Sequence, residues 1–212
     1  MILFEKATAC KRTHRSFTVF LLLFTSGILL AQTKSIDEFI READEYQTSN
    51  QLAKAAAVMT EAMTHYPNEV AAHAYCGFYT GMMAGETQEQ DYMEAGRLAM
   101  ESFQMLDRAI SMDSSFVQTW LFRGIMGVNV PEFMGYLDQG IGDLSRVLRS
   151  SQKSPQNLSG DERIIAYGHL ATGYERKGQS AEARTALESI IKLAPESQAA
   201  EQAKARIKRL EF

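Results

Sequence analysis

Four ring-bearing positions, Phe39, His73, Trp120 and Tyr167, each open a helical stretch, at spacings of 34, 47 and 47 residues. Four residues after each stands a small residue: Ala43, Gly77, Gly124 and Ala171. Positions four apart share one face of an α-helix. A large ring with a gap beside it, recurring at this period, marks a unit that cannot bury its own apolar face and must stack on its neighbours. The two longer spacings equal 34 plus 13, one unit with an insertion. The chain has only four prolines and is rich in Ala, Glu, Gln, Leu and Met, which favour helix. These observations predict an all-α protein.

The first and last units carry the fullest pattern. The first spans Ile36 to Glu69, with Ala43, Tyr46, Ala55, Met59, Ala62 and Pro67. The last runs from Ile164 to about Ser197, with Tyr167, Leu170, Ala171, Tyr174, Gly178, Ala183, Leu187 and Pro195. This resembles the tetratricopeptide repeat family, whose pattern has aromatic, Leu, Gly or Ala, Tyr, Ala, Phe, Ala and Pro at these offsets, over most of residues 36–195. It departs at Glu42, where the pattern has an apolar or small residue, and at Ile190, which replaces Ala. The resemblance implies a right-handed α-solenoid of about four helix pairs. A C-terminal capping helix, about Ser197 to Leu210, would carry a narrow stripe of Ala200, Ala203, Ile207 and Leu210.

The middle units diverge. The second should hold a first helix from Val70 to Ala84, a turn at Gly85-Glu86, and a long helix capped by Thr87 and Gln90 that runs to about Met112. The third should run from Phe116 to about Val128 and kink through Gly127–Gly135 around Pro131. A helix from about Tyr136 to Ser150 and a polar loop, Ser151 to Gly160, should follow. Gly140 falls where close packing would explain it. Ser159 and Glu162 should form a capping box.

The N-terminal 31 residues belong to another class. Lys6, Lys11, Arg12, His14 and Arg15 precede a 14-residue run from Phe17 to Leu30, apolar but for Thr18, Thr25, Ser26 and Gly27 and followed by Ala31. This is the layout of a secretory signal peptide over residues 1–31, and the run falls short of the roughly 20 residues of a spanning helix. The mature chain, residues 32–212, is expected to be periplasmic or secreted and to meet a membrane only if that segment is retained. Cleavage removes four of 22 basic and one of 26 acidic residues, leaving 18 and 25, a net charge of −7. That balance disfavours nucleic acid as a partner. Cys76 is then the one remaining cysteine, too few for an internal disulfide, and its place in the pattern is a core position.

No phosphate-binding glycine loop, nucleophile elbow or His pair at ligand spacing occurs, so no catalytic residue, cofactor or metal is assigned and the chain reads as a non-enzyme. His73 reads as a packing residue. Ten methionines beyond Met1 are either core filling or an adaptable apolar surface. In tetratricopeptide arrays the first helix of each unit lines a concave groove. Carried onto this chain, the resemblance places Phe78, Met82, Leu121, Ile125, Val128 and Asn129 at its apolar middle, with Thr172 and Arg176 at a polar end. Ile40, Asp44 and Gln47 would stand at the other end. The expectation is a protein or peptide partner for an adaptor of the bacterial cell envelope. An apolar small molecule or lipid in the same groove, or a second copy of the chain, is the alternative occupant.

Overall fold

Ser35 starts the first helix through a reciprocal pair of hydrogen bonds. Its hydroxyl accepts from the Glu38 backbone N–H (3.3 Å), and the Glu38 carboxylate accepts from the Ser35 backbone N–H (2.7 Å). The computed structural model describes residues 34–210, and every regular element among them is helical. The helices are α1 (Ile36–Thr48), α2 (Leu52–His65), α3 (Val70–Thr87), α4 (Tyr92–Met112), α5 (Val117–Asn129), α6 (Leu137–Lys153), α7 (Gly160–Arg176), α8 (Ser180–Leu193) and α9 (Gln198–Arg209). Two 3₁₀ turns, Glu132–Met134 and Pro155–Asn157, flank α6. The segment read as a signal peptide lies outside the described residues, among which no helix is long and apolar enough to cross a membrane.

Consecutive helices pack as antiparallel-type pairs, α1 with α2 through α7 with α8, and each pair packs on the next. The odd-numbered helices also touch in succession, α1 with α3, α3 with α5 and α5 with α7, forming one layer backed by the even-numbered helices. The result is a helical solenoid with α9 laid against α8. Ala200 and Ala203 of α9 are buried, while the lysines and Arg209 of its last turns face water.

The small residues do what their spacing predicts. Ala43 and Ala171 are fully buried. A Cβ added to Gly124 would lie 2.7 Å from Cγ of Leu144, and one added to Gly77 would lie 3.0 Å from Cγ of Leu106. These gaps receive the leucines of the paired helix. Gly140 goes further: its missing Cβ would sit 2.8 Å from backbone atoms of Gly127 and Val128, so α5 and α6 cross backbone to backbone. Two rings are also tied down by their nitrogens. His73 Nε2 lies 2.8 Å from the Pro67 carbonyl oxygen, and Trp120 Nε1 donates to Ser114 O (2.9 Å), each six residues upstream.

The first and last units agree down to the turn. Asn50 and Gly178, each 11 residues after its ring, take left-handed φ values of 56° and 71°. The next N–H reaches back to Tyr46 O (2.8 Å) in one and to Tyr174 O (2.9 Å) in the other, closing both helix ends the same way.

The middle corrects two expectations. α3 does not stop before Gly85; it continues to Thr87, and α4 begins at Tyr92. Asp91, not Thr87, makes the cap by accepting from Glu94 N–H (3.0 Å). A helical glycine costs only about 1 kcal/mol, and continuous packing of α3 on α4 outweighs it. The pair is lengthened as expected, to 18 and 21 residues against 13 and 14 in α1 and α2. The polar loop after α6 is shorter than its composition suggested. α6 runs on to Lys153, Ser151 is buried in it, and Leu158 is buried at 2% exposure.

Candidate binding surface

Phe78, Met82, Leu121, Ile125, Val128, Asn129, Thr172 and Arg176 all lie on odd-numbered helices, the first two on α3, the next four on α5 and the last two on α7. Phe78, on α3, is half-buried and stacks on Phe122 of α5 with ring centroids 4.3 Å apart. Tyr75 meets the same Phe122 ring edge-on at 4.9 Å. These rings join two core clusters, one built on α1–α3 and one on α3–α9, because Tyr75, Phe78 and Met83 pack against both. Met82 and Ile125 are half-buried and keep part of their apolar surface in water.

Two of the predicted residues are not at the surface. Leu121 is 2% exposed and Val128 is 0% exposed. A Cβ on Gly173 would lie 2.9 Å from Val128 Cγ1, so Val128 fills the seam between α5 and α7. Ala74, one turn before Phe78 on α3, is likewise fully buried. The cause is geometric. Successive odd helices touch each other, so residues on the flanks of the groove-facing stripe are consumed by the neighbouring helix.

Arg176 is committed to structure. Its guanidinium donates to the carbonyls of Val128 (2.7 Å) and Val130 (2.8 Å), satisfying the end of α5. Thr172 is half-buried, donates to Gly168 O (3.1 Å) and accepts from Arg206 Nη2 (3.0 Å). Arg206 also pairs with Glu175 (2.9 Å), which fastens α9 to α7. Asn129 is exposed; its Nδ2 donates to Ile125 O (2.7 Å) and lies 3.0 Å from Nδ1 of His169. Burial, with Arg206 nearby as a smaller cause, holds the His169 imidazole below its ordinary range. A neutral ring with Nδ1 as acceptor agrees with the Asn129 contact.

At the other end, the Tyr79 hydroxyl donates to the Asp44 carboxylate and lies 3.4 Å from Gln47 Oε1. Burial and then the Asp44 charge push the Tyr75 phenol up to about 12; burial and the Asp44 hydrogen bond raise Tyr79 as well. Cys76 is fully buried, and burial raises its thiol against the hydrogen bonds of Thr60 and Thr80. Thr60 Oγ1 lies 3.7 Å from its sulfur. No group of three or more His, Cys, Asp or Glu that could hold a metal ion occurs among the described residues.

Comparison with solved structures places the architecture. TTC0263, a thermophilic TPR protein of Thermus thermophilus, superposes with a TM-score of 0.66 at 13% sequence identity, over 84% of this chain and 82% of that one. The fold is that of the tetratricopeptide repeat proteins. A second tetratricopeptide structure, YrrB, described as having an unusual peptide-binding site, aligns at a TM-score of 0.38 and 17% identity, over 82% of this chain and 94% of that one. No family model and no curated protein matches the chain.

On the odd-helix layer Phe78, Met82 and Ile125 are half-buried apolar side chains. The Asp44–Tyr79 contact stands at one end and the Asn129–His169 pair at the other. Sequence reasoning missed His169 and Tyr75. His169 lies two residues after the Tyr167 ring, off the ring's own face, and Tyr75 two after His73. That shared offset is the signal that could have found them.

Proposed function

We propose that the chain is a non-enzymatic protein-interaction module of the bacterial cell envelope, binding an apolar segment of a partner protein along the groove of its odd helices. The observation that carries this reading is the partly exposed stretch of Phe78, Met82 and Ile125 bounded by polar groups at both ends. An amphipathic helix presents a matching stripe, with apolar anchors one turn apart and polar flanks. Methionine at position 82 suits such a contact because its side chain moulds to varied surfaces. The envelope location rests on the basic, apolar and small-residue order of residues 1–31.

A photo-crosslinking residue at position 82, expressed in the host and recovered from the envelope fraction, should capture a protein. The substitution Ile125→Glu should abolish that adduct while leaving the helical circular dichroism and melting curve intact. Leu121→Glu, by contrast, should unfold the chain, because that side chain is core. A crosslink unchanged by Ile125→Glu would exclude the groove. A retained small molecule in native mass spectrometry, with no protein adduct, would transfer the groove to an apolar ligand.

A further inference from the structure

A second cleft, of about 280 Å³, lies between the start of α5 and the end of α6 and uses none of the groove residues named above. Its wall is the Trp120 indole. That ring has spent its N–H on Ser114 O and carries the Arg146 guanidinium 3.8 Å from its centroid. Stacking occupies the face of a guanidinium and leaves its N–H edge free to fork onto an oxyanion. Among the described residues Arg146 makes no hydrogen bond or ion pair to use that edge.

The surrounding charges explain why. Asp143, three residues earlier on α6, is committed to Arg123 through two contacts of 2.7 and 3.1 Å. Asp113, at the end of α4, accepts from both the backbone N–H and the hydroxyl of Ser115 (2.7 and 2.6 Å). Arg149 and Lys153 follow Arg146 along the same helix face and also lack carboxylate partners among the described residues. Arg146 itself feels the Asp143 charge but forms no hydrogen bond or ion pair with it, so among the described residues the three cations run along α6 without a bonded carboxylate.

Neutral donors converge with them. Ser150 lines the cleft; its hydroxyl accepts from Asn157 Nδ2 (3.2 Å) and so keeps its proton to donate. α5 opens without a side-chain cap, and its first residue, Val117, lines the same cleft, adding the positive end of a helix. Val117 and Val147 make the remaining wall apolar.

We propose that this cleft binds a small organic oxyanion, a carboxylate or phosphate monoester, clamped by Arg146 on the Trp120 platform. The polar edge of the cleft takes the anion, and the valine wall takes its organic part.

Trp120 is the chain's one tryptophan, so intrinsic tryptophan fluorescence reports on this cleft alone. The full mature chain, titrated at constant ionic strength with phenyl phosphate and with benzoate, should show a saturable change for at least one of them. Which one responds distinguishes phosphate from carboxylate. Calorimetry should give the same affinity. Arg146→Gln should weaken it by at least about tenfold in calorimetry, with melting unchanged, and Arg146→Lys should fall between, since the charge remains and the fork is lost. A drift matched by sodium chloride, or an affinity undiminished in Arg146→Gln, would overturn the site. Inorganic phosphate binding as tightly as phenyl phosphate would overturn the organic-anion assignment.

Discussion

The end units and the middle units of this solenoid solve one packing problem by different means. In the first and last units a buried alanine, Ala43 or Ala171, makes the gap, and a tight left-handed turn at Asn50 or Gly178 reverses the chain. In the third unit the alanine gives way to glycine, and Gly124, Gly127 and Gly140 bring two backbones into contact. That unit also carries a buried ion pair, Arg123 with Asp143, whose side chains are 11% and 8% exposed, with Asp107 on the guanidinium's other side at 2.5 Å. The difference teaches that the ends are held by turn geometry and ordinary side-chain burial. The middle is held by contacts that tolerate no added atom and no missing charge.

The largest effect should come from breaking the buried pair. Arg123→Leu leaves Asp143 without its partner in a poorly solvated site and should cost about 3 kcal/mol in urea unfolding. Arg123→Leu combined with Asp143→Leu should recover much of that loss, because no unpaired charge is then left buried. A double variant as unstable as the single one would mean that Asp107 and the stacking of Arg123 on Trp120, 5.0 Å from the ring centroid, hold the region instead.

The next test lies within one helix. Gly140→Ala forces a Cβ against the backbone of Gly127 and Val128 and should cost about 2 kcal/mol. Gly142→Ala, two residues on, meets nothing within 4 Å and should gain up to about 1 kcal/mol from helix propensity. Opposite shifts in melting temperature would separate backbone packing from local helix preference. Equal shifts would dissolve the contrast between the middle and the ends.

The smallest effect belongs to the end units. Asn50→Gly should stabilise the first turn by roughly 0.5 kcal/mol, since glycine takes positive φ without strain. Gly178→Ala at the matching turn should destabilise by about 1 kcal/mol. Hydrogen exchange at Gln51 and Gln179, whose amides close the two turns, would localise both changes.

The apolar period of the sequence carried the helical class, the number of units and the small-residue gaps, because a stacked helix needs ring and gap on one face whatever its neighbours are. It also carried the Ser159–Glu162 cap, a contact made within four residues. Helix ends in the lengthened pair were less legible: Gly85 reads as a stop only when the packing of α3 on α4 is unknown. For the groove, Phe78, Met82, Ile125 and Asn129 kept a solvent-facing edge, whereas Leu121 and Val128 became core and Arg176 became a cap for α5. Periodicity assigns a residue to a face of its own helix. How much of that face the next helix covers, and which distant carbonyl an arginine reaches, depend on the crossing of helices tens of residues apart, and only the tertiary structure decides that.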